Sequence, residues 1–171
     1  GPEFIEIYNR GTIDHNLYGV GVLIKNETEG TNPIVSYVFG DVPIEAGSYI
    51  VLAKDVTHPN FNHLELGVNL FQRNQPTSIN NPPTNYTIAL KNSDQMLDMN
   101  IETSMSKLSY DWGNGWPDDL TSSRTLEIID TSLLNNELYL PTNWWESVNP
   151  YGTPGTANSL YLRPVITEFF P

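Results

Sequence analysis

Cysteine is absent from all 171 residues, which excludes disulfides, thiolate metal sites and cysteine nucleophiles. Cations are scarce: eight Lys and Arg stand against 20 Asp and Glu, a formal net charge of −12. Nucleic acid and anionic lipid both need clustered Lys and Arg, so neither is expected as a partner. No apolar run approaches the roughly 20 residues of a membrane span, so no membrane insertion is expected. Long stretches with apolar residues at helical spacing are missing as well. What remains is 39% hydrophobic residues, enough for a packed core, in a background rich in Asn, Thr, Ser, Pro and Gly that suits short strands joined by turns. The length fits one domain. Gly1-Pro2 looks like a protease-cleavage remnant, so the absence of a signal peptide says nothing about the parent protein.

Alternation with β-branched and aromatic residues predicts strands at Phe4 to Tyr8, Leu17 to Ile24, Ile34 to Phe39, Ser48 to Lys54 and Tyr86 to Lys91. Asn92-Ser93-Asp94 reads as a turn, with Gln95 to Asp98 as the return strand. Ile101 to Tyr110, Thr125 to Ile129 and Val165 to Phe170 follow. Gly19 and Gly21 suggest a bulge or a close approach. In the first strand Phe4 and Tyr8 share one face, Ile5 and Ile7 the other. The expected core includes Ile5, Ile7, Val22, Val38, Val51, Ile88, Leu90 and Ile128. Two long irregular stretches remain, Val56 to Asn85 and Leu133 to Leu162. Each needs apolar anchors, for which Val68, Leu70, Phe71, Trp144 and Trp145 are the candidates.

In this order, EFIEIYN (3–9), LYGVGVLI (17–24), YVFGDVPIEAGSYIVLAKD (37–55), TIALKNSDQMLD (87–98), KLSY (107–110), GWP (115–117), SRTLEIID (123–130), NWWES (143–147) and GTPGTANS (152–159) resemble the motifs of the lamin tail domain family in its bacterial form. The resemblance touches most of the chain. It implies an all-β fold, an immunoglobulin-like antiparallel β-sandwich with long irregular loops. It also implies a non-catalytic binding, tethering or assembly module of a larger bacterial secreted or cell-surface protein. The expected location is extracellular or the cell surface, and the partners a protein or a cell-surface glycan. One departure stands out. The family opens with a strand of the type V-I-N-E before E-F-I-E; here that strand is missing at the N-terminus, while PVITEFFP (164–171) resembles it. The expected division is therefore 1–163 as the sandwich and 164–171 as a terminal strand. That strand would replace the missing one beside residues 4–8 of the same or a neighbouring chain, through Phe4, Tyr8, Val165, Ile166, Phe169 and Phe170.

Catalytic chemistry finds little footing. No G-x-S-x-G elbow occurs, and the three histidines have no evident partners. Glu3, Glu6, Glu27, Glu29 and Glu45 read as scattered surface acids rather than a catalytic pair. His58 and His63 have a spacing compatible with zinc but lack a third ligand; exposed loop histidines are the plainer reading. Asp111, Asn114, Asp118 and Asp119 form an oxygen-rich stretch that is either a calcium loop or a set of polar turn residues. No other cofactor is called for. Tyr110, Trp112 and Trp116 are candidate stacking platforms for sugar rings, although Trp116 lies in a family motif and would serve equally as an anchor. A carbohydrate-binding module is thus the alternative function, and a hydrolase the remotest.

Overall fold

The computed structural model describes residues 2–74, 85–96, 98–111, 114–116, 124–133, 137–138 and 140–159. Within them the chain is all-β apart from short 3-10 turns. Two sheets form the body. One contains β1 (Phe4–Tyr8), β6 (Tyr49–Ala53) and β7 (Leu70–Gln72) in the order β1-β6-β7. The other contains β3 (Gly21–Asn26), β4 (Ile34–Val38), β8 (Tyr86–Lys91) and β9 (Ser106–Tyr110) in the order β4-β3-β8-β9. Two small antiparallel pairs complete it: β2 (His15–Asn16) with β5 (Pro43–Ile44), and β10 (Leu126–Ile128) with β11 (Trp144–Glu146).

The period-2 pattern explains the layering. Ile5 and Ile7 pair with Leu52 and Ile50 across β1 and β6. These side chains meet Val22, Phe39 and Phe71 in one core, with Tyr37, Ile88 and Leu90 packed against it. The body is therefore a β-sandwich, two sheets enclosing one apolar layer. Phe4, Val51 and Ala53 point the other way, into a second cluster with Phe61, Val56, Leu64 and Leu70. The three-stranded sheet is thus buried on both faces, its outer one by residues 56–69.

Several expectations need correcting. Val38 is 48% exposed. β4 shifts register opposite Val22/Leu23, and Tyr37 and Phe39 take the inward face, with rings 5.0 Å apart and Phe39 5.7 Å from Phe71. Aromatic rings bury more apolar area than one valine, so they win the core side. Gln95 to Asp98 is not the return strand: the chain makes 3-10 turns at Ser93–Gln95 and Ile101–Thr103 and returns only as β9, which pairs Leu90 with Ser106 and Tyr86 with Tyr110. Val56 to Asn85 is not wholly irregular, since β7 pairs parallel with β6 through Val51–Leu70 and Leu52–Phe71, a departure from an all-antiparallel sandwich. Leu70 and Phe71 anchor this stretch, but Val68 is exposed and does not. In the second stretch Trp144 and Trp145 lie in β11.

Candidate functional site

Among the described residues one side of the sandwich is open. Four of the eight expected core residues, Ile5, Ile88, Leu90 and Ile128, are only half-buried, and all four line a single cleft of about 530 Å³. Leu108, Tyr110, Leu126 and Trp144 continue its apolar wall. A cleft of this size is in the range that binds small molecules or extended peptide segments.

β1 forms one rim. Among the described residues it pairs with β6 and with no other strand. The amide of Lys54 donates to the carbonyl of Glu3 (2.9 Å) and that of Asn9 to Ser48 (3.0 Å). In an antiparallel ladder this alternation turns the main chain of odd-numbered residues toward β6. It leaves the N–H and C=O groups of Phe4, Glu6 and Tyr8 facing the open side.

Three carboxylates also line the cleft: Glu3, which is paired with Arg73 and Lys54, and Glu6 and Glu127. Glu127 is 8% exposed and accepts three bonds, from Thr153 Oγ1 (3.1 Å), Ser159 N (2.8 Å) and Ser159 Oγ (2.6 Å). Glu6 accepts one from the amide of Gly155 (2.6 Å). Burial pushes the Glu6 carboxyl up to about 7; the Gly155 bond opposes the rise, and the nearby Glu127 charge adds to it. Glu6 is therefore no surface acid, which corrects the sequence-based expectation. A signal was present: in Phe4-x-Glu6-x-Tyr8 a charge interrupts an aromatic face. Glu127, inside the apolar Leu126–Ile128, carries a similar signal and was missed.

The other candidates find structural employment. Trp116 is 5% exposed, with its ring 5.5 Å from Tyr110 and 6.1 Å from Trp144. This is an anchor's position, with no free face for a sugar. Tyr110 is half-buried and lines the cleft wall. Trp112 lies outside the described residues. Asp111 accepts from the amides of Asn85 (2.7 Å) and Asn114 (2.5 Å), while Asp118 and Asp119 lie outside the described residues. Among the described residues no group of three or more His, Asp or Glu is placed to hold a metal ion. His63 Nε2 lies 2.8 Å from the Pro154 carbonyl, and His58 Nδ1 accepts from the Asn60 amide, so both histidines order loops. Phe4 and Tyr8 sit on β1 as expected, whereas Val165, Ile166, Phe169 and Phe170 lie outside the described residues. Among the described residues no helix is long and apolar enough to cross a membrane.

Fold and cleft together define a class: a β-sandwich that, among the described residues, has one strand edge open beside an apolar cleft. No protein-family model matches this chain, and no curated protein matches it.

Proposed function

We propose that this domain is a non-catalytic binding and assembly module that takes an extended segment into the cleft along β1. The supporting observation is the coincidence of half-buried core side chains with the outward main chain of Phe4, Glu6 and Tyr8, since an open strand edge beside an apolar trough suits an added strand. The proposed occupant is Val165–Phe170. Ser159 is tied to Glu127, and the neighbouring Asn158 lines the cleft. Five residues separate Ser159 from Val165, and an extended link of that length reaches about 20 Å. The resemblance to bacterial lamin tail domains, with their immunoglobulin-like sandwich, supports the same role in a secreted or cell-surface protein.

Amide hydrogen exchange on the full chain tests this. Phe4, Glu6 and Tyr8 are expected to exchange about as slowly as Ile5 and Ile7, and to speed up about 100-fold when Val165→Asp and Phe169→Asp are combined. Sedimentation then distinguishes a tail that returns to its own chain (monomer) from one donated to a neighbour (dimer or fibre). Fast exchange in the unmodified chain, or slow exchange untouched by the double substitution, overturns the reading.

A carbohydrate reading is favoured by Tyr110 in the cleft wall and by the stacked Tyr8 and Tyr49 rings 4.6 Å apart; glycan binding lost on Tyr110→Ala would establish it. Hydrolysis of glycosides or esters that disappears in Glu6→Gln would overturn the non-catalytic assignment. Calcium at Asp111, Asn114, Asp118 and Asp119 is the finer cofactor expectation, and a calorimetric titration without heat removes it.

A further inference from the structure

We propose that residues 150–159 are a proton-controlled strap that walls the cleft, holding β1 and β10 together in mildly acid solution and loosening as the solution turns alkaline. This goes beyond the binding role. Only its consequence, freer access to the β1 edge at alkaline pH, rests on that reading.

The strap meets three separate elements. Gly155 is held by Glu6 of β1, while Thr153 and Ser159 are held by Glu127 of β10. The Pro154 carbonyl is held by His63, and Leu64 sits where a side chain on Gly155 would go. Both loop contacts come from residues 56–69. Thr153 and Asn158 in turn form part of the cleft wall. The strap's own backbone favours release at one position: Tyr151, with φ 66°, sits in the left-handed region, which is unfavourable for a tyrosine.

The two carboxylates are unequally equipped. Three donors serve Glu127, so its charge is well placed. Glu6 receives a single donor, and the charge packed beside it is Glu127. The cations that line the cleft are engaged elsewhere: Lys107 Nζ bonds Glu102 (2.7 Å) and Arg10 Nη1 bonds the Leu133 carbonyl. Tyr49, on the neighbouring strand, is itself pushed up by burial and then by Tyr8 and Glu6. From the loop side come His63, on Pro154, and His58, whose ring lies 5.9 Å from Tyr151. With the strap closed Glu6 favours its proton; with the strap open it returns to water and the ordinary carboxylate range. A carboxyl held near 7 when closed and near 4.5 when open lowers the closed-to-open ratio about tenfold between pH 6 and pH 8.

The test is amide exchange at Gly155 and Ser159 on the full chain between pH 6 and 8. It is corrected for the intrinsic pH dependence of exchange and accompanied by a carbon-13 titration of the Glu6 carboxyl. We expect protection to fall about tenfold, a Glu6 midpoint near neutrality, and flat protection in Glu6→Gln. A Glu6 midpoint in the ordinary carboxylate range, constant protection in the unmodified chain, or a pH dependence that survives Glu6→Gln overturns the proposal. Should Glu6→Gln fail to fold, the Glu6 titration in the unmodified chain decides. No ligand enters this experiment, so its failure is distinct from failure of the binding reading, which is seen at Phe4, Glu6 and Tyr8.

Discussion

Each sheet of this sandwich carries a loop on its outer face, and the two covers are held by opposite means. Residues 56–69 lie on the three-stranded sheet through apolar contact: Phe61 is buried, its ring edge-on to Phe4 at 5.8 Å, with Leu64 and Val56 beside it. Residues 92–96 and 98–105 lie on the four-stranded sheet through a buried cation. Lys91 is fully buried, and its ammonium donates to the carbonyls of Asp98 and Asn100 (2.8 Å for the latter) and to Thr103 Oγ1 (2.9 Å). In effect the lysine does for this loop what a bound ion does elsewhere, gathering oxygens around one charge. Apolar anchoring is tolerant of geometry and strong per side chain; polar anchoring is directional and leaves unsatisfied groups when broken.

Removing the apolar anchor is expected to have the largest effect. Phe61→Ala should cost about 3–5 kcal/mol, the usual range for deleting a buried aromatic ring, read as a fall in the denaturant midpoint. A loss below about 1 kcal/mol would mean that the loop is not held by its ring. The strap bears on the same side of the molecule, through His63 and Leu64, so pH should divide the two covers. Glu6 has a folded-state value raised above its unfolded one, to about 7. The native state therefore binds more protons than the unfolded state between about pH 4.5 and 7, and stability falls as pH rises through that window. The full effect is about 3 kcal/mol at 1.36 kcal/mol per unit. Unfolding curves at pH 5 and pH 8 should show it, and Glu6→Gln should flatten it. Exchange protection in residues 56–69 should follow the pH while that in 98–104 stays put; a parallel change in both would erase the distinction.

Lys91→Met keeps most of the stem and removes the donors. The carbonyls of Asp98 and Asn100 then lose their partner, at a cost of about 1–3 kcal/mol. The loss should appear as faster amide exchange across residues 98–104, with residues 56–69 unaffected. The substitution should also add to Phe61→Ala without coupling, because the two covers lie on different sheets.

How much of this could be seen in the sequence follows from the same contrast. The strands of the body were legible because alternation over five or six residues is a strong signal: Phe4–Tyr8 and Tyr86–Lys91 match residue for residue. β7 and β11, three residues each, are too short to show a period. The stretch carrying the apolar cover was half-legible, since Leu70 and Phe71 of the following β7 stand out in a polar stretch, but Phe61 is isolated among Asn and Pro. The lysine cover was invisible, because nothing local marks Lys91 as buried; its partners lie 7 to 12 residues ahead. The cleft was legible only in retrospect. Ile5, Ile88, Leu90 and Ile128 carry the pattern of core residues, and only packing shows that they face an open side. Glu6 reads as a surface acid because Glu is exposed by default, and Glu127 draws no reading at all; burial is a property of the assembled sandwich rather than of a window of sequence.

The smallest effects come from placing one methyl group under each cover. A side chain at Gly155 would meet Leu64 with the backbone at φ 77°. The left-handed conformation alone penalises alanine by about 1–2 kcal/mol, and Leu64 is itself packed against the apolar cluster, so it has little room to yield. A side chain at Gly21 would meet Met96, at its sulfur and terminal carbon. Gly21 sits within β3, opposite Lys91, where alanine restores roughly 0.5–1 kcal/mol of the entropy that a strand glycine forfeits. The far end of a methionine also swings aside cheaply. Gly155→Ala should therefore lower stability clearly, whereas Gly21→Ala should change it by less than about 1 kcal/mol in either direction. Combining Gly21→Ala with Met96→Ala should reveal whether that contact carries any strain: if the methyl and the thioether compete for space, the double variant will be more stable than the sum of the singles. A Gly21→Ala penalty as large as that of Gly155→Ala would mean that residues 92–96 and 98–105 are clamped as rigidly as the strap, and that the lysine holds its loop in one geometry rather than merely near the sheet.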